Sequence, residues 1–156
     1  MDFSPVLISL KTSAISIFIT FFLGLWAARW VVSMRSERAK AWIDGILTMP
    51  LVLPPTVAGF FLLYIFGTKR PVGIFLEKVF QYKIVFTWEA TVLAAVLISF
   101  PLMYRSARGA LEQVDTNLIY AGRTLGMSER TIFWKVMLPQ AKPGILSGGV
   151  LAFTRG

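Results

Sequence analysis

Pro50, Pro54 and Pro55 fall within Gly45–Thr68, a stretch that carries no charge. Proline at that spacing changes what a helical backbone can bind. As one continuous helix, the stretch would lack three N–H donors and leave the carbonyls of Ile46, Pro50 and Leu51 free. As a helix that restarts near Pro55, it would instead offer the N–H groups of Thr56, Val57 and Ala58 at a positive dipole end, which attracts an oxyanion. A plain structural kink also accounts for the prolines, because membrane helices tolerate them where neighbours satisfy the freed carbonyls. On the sequence these readings stay open, and Pro50, Pro54, Pro55 and Thr56 are the candidate residues of an anion passage. Side-chain catalysis has less to work with. The chain has no His and no Cys, which removes Cys/His metal sites, Ser-His triads and Cys-His dyads. It has no Gly-x4-Gly-Lys-Ser/Thr loop to cradle ATP phosphates. No cofactor or metal is expected on this chain.

A second constellation lies in Tyr120–Gly144, YAGRTLGMSERTIFWKVMLPQAKPG. Asn117–Leu125 is made of helix-compatible residues, and Gly126 can supply the left-handed turn that ends a helix. Ser128 is placed to cap a second helix, with Thr131 where a capping box would prefer Glu. That helix would put Ile132, Phe133 and Val136 on one apolar face, and Pro139 is expected to end it. Two short helices joined by a glycine turn make a lever or docking element, and a solvated basic loop is the plainer alternative.

The elements that must position these residues are apolar. Hydrophobic residues make up 56% of the 156 and charged ones only 15%, against ~25% charged in soluble domains. The distribution predicts an all-α polytopic membrane protein. Spans are expected at Val6–Trp30, Ile43–Phe66 and Ile84–Tyr104, with a turn-rich loop at Gly67, Pro71 and Gly73 and an amphipathic stretch over Ile74–Phe80 before the third. A fourth apolar run, Ile145–Phe153, would be the start of another span: nine helical residues reach only ~14 Å. Net charge is +8. Because the basic residues sit between apolar runs, anionic lipid head groups and topology explain them better than nucleic acid does. Arg29, Arg35, Arg38 and Lys40 share one side with the six basic residues of Arg105–Lys142, against Lys69, Arg70, Lys78 and Lys83 on the other. The positive-inside rule then places residues 105–142 in the cytoplasm and the N-terminus outside. Gly144-x3-Gly148 fits a close helix-packing motif, though small residues beside a turn would read the same way. Lys11 and Glu89 lie near span ends and are read as interfacial.

The Tyr120–Gly144 stretch resembles the EAA loop of ABC importer permeases: EAA, three residues, Gly, nine residues, Ile-x-Leu-Pro. Tyr120, Ala121 and Gly122 stand at the EAA positions and Gly126 at the glycine. Val136 replaces the Ile, and Leu138 and Pro139 match. Met49–Gly73, Val96–Arg105 and the ending Leu151–Gly156 are similar to segments of molybdate permeases, so the resemblance covers nearly the whole chain. It implies a partial ABC transporter transmembrane domain over residues 1–156, cut short at its C-terminus, with a cytoplasmic EAA-like coupling loop at 105–142. It implies a permease in the bacterial inner membrane that moves molybdate, with sulfate or tungstate as alternatives. Two permease copies would form the pathway, a separate ABC ATPase subunit would use the ATP, and an extracytoplasmic oxyanion-binding protein would deliver substrate. Tyr120, Ala121, Gly122, Arg123, Leu125, Gly126, Leu138 and Pro139 would couple to the ATPase. From other classes, a membrane-embedded enzyme or a non-transport scaffold remains; neither requires an ATPase partner, and the apolar runs contain no carboxylate pair for hydrolytic or metal chemistry.

Overall fold

The computed structural model describes residues 3–67 and 87–155, together with Ile74 and Lys78. The amphipathic stretch over 74–80, most of the loop before it and the expected start of the third span at 84–86 lie outside the described residues. Among the described residues every regular element is helical: α1 (Ser4–Val32), α2 (Glu37–Val52), α3 (Pro55–Phe66), α4 (Trp88–Glu112), α5 (Thr116–Thr124), α6 (Glu129–Ile132), a π-helical segment (Phe133–Met137) and α7 (Leu138–Arg155).

The core is a seam between α1 and α4. On α1, Thr12, Ser16, Thr20, Gly24, Ala27, Ala28 and Val31 are buried, a stripe at three- and four-residue steps that is one face of a helix. On α4 the buried stripe includes Val92, Ala95, Ser99, Met103 and Ala107. Small residues let the two backbones approach closely, which is how helices associate where apolar surroundings remove the hydrophobic drive. At one end of the seam Trp88 Nε1 donates to Thr12 Oγ1 at 2.8 Å, and Lys11 Nζ sits 4.8 Å above the Trp88 ring. The opposite face of α1 presents Phe18, Phe22, Trp26 and Trp30, all exposed. α7 packs on the other side of α4: a Cβ added at Gly144 would fall 2.6 Å from Ala110 Cβ, and one at Gly148 would run into Ser106. The Gly144-x3-Gly148 spacing is thus a close-packing face.

Of the two readings left open for the second span, the broken helix is the one found, and three other expectations change. α2 and α3 meet at 109° across Leu53 and Pro54, both extended, with ψ of 135° and 142°. Each precedes a proline, and the following pyrrolidine ring disfavours the helical conformation at that position. α1 and α4 are long and apolar enough to cross a membrane by themselves, and the bent pair makes a third crossing only if it counts as one broken span. The third helix does not stop at Tyr104: it carries Pro101 inside it and runs on to Glu112. Residues 105–142 are therefore mostly helical, the end of α4 leading into the expected pair of helices about the glycine turn. Pro139 does not end the helix begun at α6. The chain continues helically from Glu129 to Arg155, because a π turn precedes the proline, with Leu138 N–H bonded to the Phe133 carbonyl five residues back. A wider turn accommodates a ring that lacks an N–H and crowds the preceding turn. The fourth apolar run accordingly sits inside an 18-residue helix, not a nine-residue stub.

Candidate functional site

The turn between α5 and α6 is built almost entirely from local chemistry. Asp115 caps α5, its side chain accepting from Asn117 N–H at 2.9 Å. Gly126 has φ of +75°. Its N–H donates to the Arg123 carbonyl at 3.0 Å, and Met127 N–H reaches the Gly122 carbonyl at 3.1 Å. These are the two bonds of a Schellman ending, which requires a left-handed residue at the position Gly126 occupies. Ser128 then caps α6, accepting from Thr131 N–H at 3.3 Å, while the two hydroxyls meet at 2.9 Å. Thr131 occupies the place of a capping-box Glu, with its hydroxyl on the Ser128 hydroxyl and not on the Ser128 N–H.

A salt bridge clasps the turn. Arg123 Nε donates to Glu129 Oε1 at 2.7 Å and Nη2 to Oε2 at 3.3 Å, a bidentate pairing that fixes orientation as well as charge. That hydrogen bond raises the Arg123 pKa and holds the Glu129 carboxyl below its ordinary range. The guanidinium also lies 5.7 Å from the Tyr120 ring. Glu129 was not singled out from the sequence. Its spacing of six from Arg123 matches no helical pair, and only the left-handed turn brings the two together.

Of the expected coupling residues, Tyr120, Ala121, Arg123, Leu125 and Gly126 share the exposed side of the turn, and Leu125 is 79% exposed. Gly122 faces inward and packs on Ile132. Leu138 and Pro139 stand apart, in the first turn of α7. The apolar face expected of the second helix is real: Ile132 and Phe133 are buried and Val136 half-buried. Phe133 lies under Arg29 of α1, whose guanidinium sits 4.1 Å from the ring centroid. A cavity of about 220 Å³ beside this contact is lined by Arg29, Ser33, Arg123 and Phe133 among others. The turn is thereby connected to the first long helix by a cation–π contact.

The expected passage residues separate. Pro50 lies in the last turn of α2, Pro54 caps α3 and Pro55 is its first residue. The helix does restart at Pro55, yet two of the three expected donors are already used: Val57 and Ala58 N–H both bond to the Pro54 carbonyl, at 2.9 and 3.1 Å. The carbonyl of an N-cap residue accepts the first intrahelical bonds, so this helix end presents less to an anion than its sequence implied. Thr56 instead contributes to an open cleft of about 1010 Å³ between α1, α3 and α4, where Ser9, Thr12, Ser13, Thr87 and Thr91 also lie. Those hydroxyls were not read from the sequence, because they come from three separate helices.

Comparison with known proteins agrees with this architecture. A family model described as "Binding-protein-dependent transport system inner membrane component" matches residues 20–156. The chain is 41% identical over 154 residues to the molybdenum transport system permease protein ModB of Escherichia coli K12, covering 99% of this chain and 67% of that protein. It is 36% identical to the putative molybdenum transport system permease protein YvgM of Bacillus subtilis, covering 98% of this chain and 67% of that protein. A probable sulfate transport system permease protein, cysT of Chlorokybus atmophyticus, is 31% identical, covering 97% of this chain and 52% of that protein. The chain spans about two thirds of the length of its molybdenum-permease relatives from E. coli and B. subtilis. Among solved structures, an inward-facing form of the MetNI methionine ABC transporter has a chain of the same fold, with TM-score 0.73 and 22% identity, covering 95% of this chain and 66% of that one. A helical, multi-pass architecture and a match over most of the sequence lead to one assignment: the chain belongs to the family of inner-membrane components of binding-protein-dependent transport systems.

Proposed function

We propose that the protein is the permease subunit of an ATP-driven importer that moves molybdate across the cytoplasmic membrane. The observation that carries the mechanical half is the capped, clasped turn at Gly126. Its outer side offers Tyr120, Ala121, Arg123 and Leu125, and its inner side is continuous with α7 through the π segment. A rigid exposed turn leading directly into a long helix transmits a push from a docked subunit along the helix axis. The chain has no ATP-binding loop, so a separate ATPase supplies that push. Leu138 and Pro139 act at the base of the lever and not at its tip. Two copies of the permease enclose the path, and an extracytoplasmic binding protein delivers the anion. The Lys/Arg asymmetry supports a cytoplasmic position for residues 105–142 and an outside N-terminus.

The substrate rests on the likeness to molybdenum permeases. In the cleft that includes Thr56, Thr12 and Thr91 already donate to the Ile8 and Thr87 carbonyls, which leaves Thr56, Ser9 and Ser13 as the neutral hydroxyls offered to a tetrahedral oxyanion. The 31% identity to a probable sulfate permease supports sulfate as a second reading. The test is uptake in cells that lack their own high-affinity molybdate transport, supplied with a full-length permease that carries this sequence, the matching ATPase and the matching binding protein. Accumulation of molybdate that excess sulfate does not suppress is the expected result. Accumulation of sulfate alone would move the assignment to the second reading, and no accumulation of either anion would reject both.

A further inference from the structure

Tyr104, Arg108 and Glu112 follow one another at four-residue steps near the end of α4 and so share one face. Asp44 of α2 reaches this ladder. Its Oδ1 accepts from the Tyr104 hydroxyl at 3.0 Å and pairs with Arg108 Nη1. Arg108 simultaneously donates through Nε to Glu112 Oε1 at 2.9 Å. Tyr104 is fully buried, and the Arg108 and Asp44 side chains are 21% and 34% exposed.

This node carries unusual weight for α2. No residue of α2 is buried, and its apolar hold consists of Ile43 and Leu47, partly buried against the core. At its far end the helix is cut at Leu53 and Pro54. A helix so lightly packed, bounded by a break, is positioned chiefly by its polar contact. We propose that the Asp44–Arg108 pair is a reversible latch, made and released by α2 against α4 during the transport cycle, with Asp44 and Arg108 as positioning residues. This rests on the transporter reading given above. Glu112 is what makes release feasible. Breaking an ion pair that is shielded from water ordinarily strands a charge. Here Arg108 keeps a carboxylate on its own helix when Asp44 leaves, and Asp44, already a third exposed, moves toward water. A permanent brace would have no use for a second partner.

The protein has no Cys, so cysteines introduced at Ala41 and Gln113, both exposed, can carry spin labels at the two sides of the latch. The measurement is the label-to-label distance by pulsed electron resonance in the full transporter, with its ATPase and binding protein and with labelled permease diluted into an excess of unlabelled permease so that one copy carries the pair, in liposomes without nucleotide and with ATP. Two distances are expected, with weights that change on adding ATP. Asp44→Asn should shift weight to the longer distance without nucleotide and lower uptake by about fivefold or more. Glu112→Gln should shift weight to the shorter distance and slow uptake, because Arg108 then has no second carboxylate to pair with. The Asp44→Asn/Arg108→Gln double variant should lose no more uptake than Asp44→Asn alone, since each residue acts through the other. A single distance unmoved by ATP and by Glu112→Gln overturns the latch and leaves a static brace. Multiplying losses in the double variant overturn it as well. If the distances shift as expected while no molybdate accumulates, the latch stands and the substrate assignment alone is wrong.

Discussion

Gly126 is where a single side chain has the largest expected effect on the turn. At φ of +75° an L-residue brings its Cβ against the following carbonyl, at a cost of about 1–2 kcal/mol, and a β-branched residue fares worse. Gly126→Val should leave the protein inserted in the membrane and re-aim α6. Its expected outcome is a large loss of uptake with weaker co-purification of the ATPase, and wild-type values of both would exclude the turn from coupling. The clasp beside it has its own signature. Glu129 has a depressed pKa because Arg123 hydrogen-bonds its ionised form. The clasp is therefore complete above the ordinary Glu range, near 4.3, and is lost as pH falls through the lowered folded value. A carbon-13 titration of the Glu129 carboxyl should show a midpoint below that ordinary value, and Arg123→Gln should return it upward. A midpoint unaffected by Arg123→Gln would mean that the pair does not persist in solution.

At the scale of elements, the path from the turn to the body of the protein runs through α7 and its contact with α4. Gly148 lies against Ser106 and Gly144 against Ala110, with no room for a Cβ at either. Gly148→Val should separate the two helices at a cost of about 1–3 kcal/mol, the usual range for overpacking. The expected result is a lower melting temperature in detergent and reduced transport. Gly149→Ala is the matched control, because a Cβ there meets only ordinary contacts with the Phe21 ring at 3.6 Å or more. Equal losses in both variants would show that the α4–α7 approach is not what limits stability. The π segment belongs to the same path. Without its wider turn Pro139 would end the helix, and the push proposed for α6 would not reach α7 along one axis.

For the whole molecule, orientation decides which face meets the ATPase. Gln113 and Asn117 flank the junction between α4 and α5, and both are exposed. Cysteines placed there should resist an impermeant thiol reagent in intact cells and react readily in inside-out vesicles. Efficient labelling from outside at both would reverse the topology and put the turn where no ATPase could dock. The seam of small residues between α1 and α4, with α7 on the far side, makes one rigid centre. α2 and α3 attach to it more loosely, as the unburied surface of α2 shows.

Composition and periodicity by themselves determined the class of this protein. Uncharged runs of about twenty residues are long enough to cross an apolar layer as helices whose backbone groups pair within the segment. The glycine turn was also legible, because a left-handed glycine ending and a Ser cap depend on residues a few positions apart, whereas the Asp115 cap emerged only in the structure. What the tertiary structure decided lay at longer range. Asp44 meets Tyr104 and Arg108 across 60 and 64 residues of sequence, and Arg29 meets Phe133 across 104. No local period encodes such pairs. The three prolines show the division within one segment. Their identity announced a disturbed helix, and the break falls at Leu53 and Pro54, each held extended by the proline that follows it; the 109° at which α3 then leaves α2 is what no local rule gives. Pro101 and Pro139 terminate nothing here, Pro101 lying buried inside α4 and Pro139 following a π turn. Local chemistry sets the ends and turns of helices, and the packed structure decides which distant side chains meet.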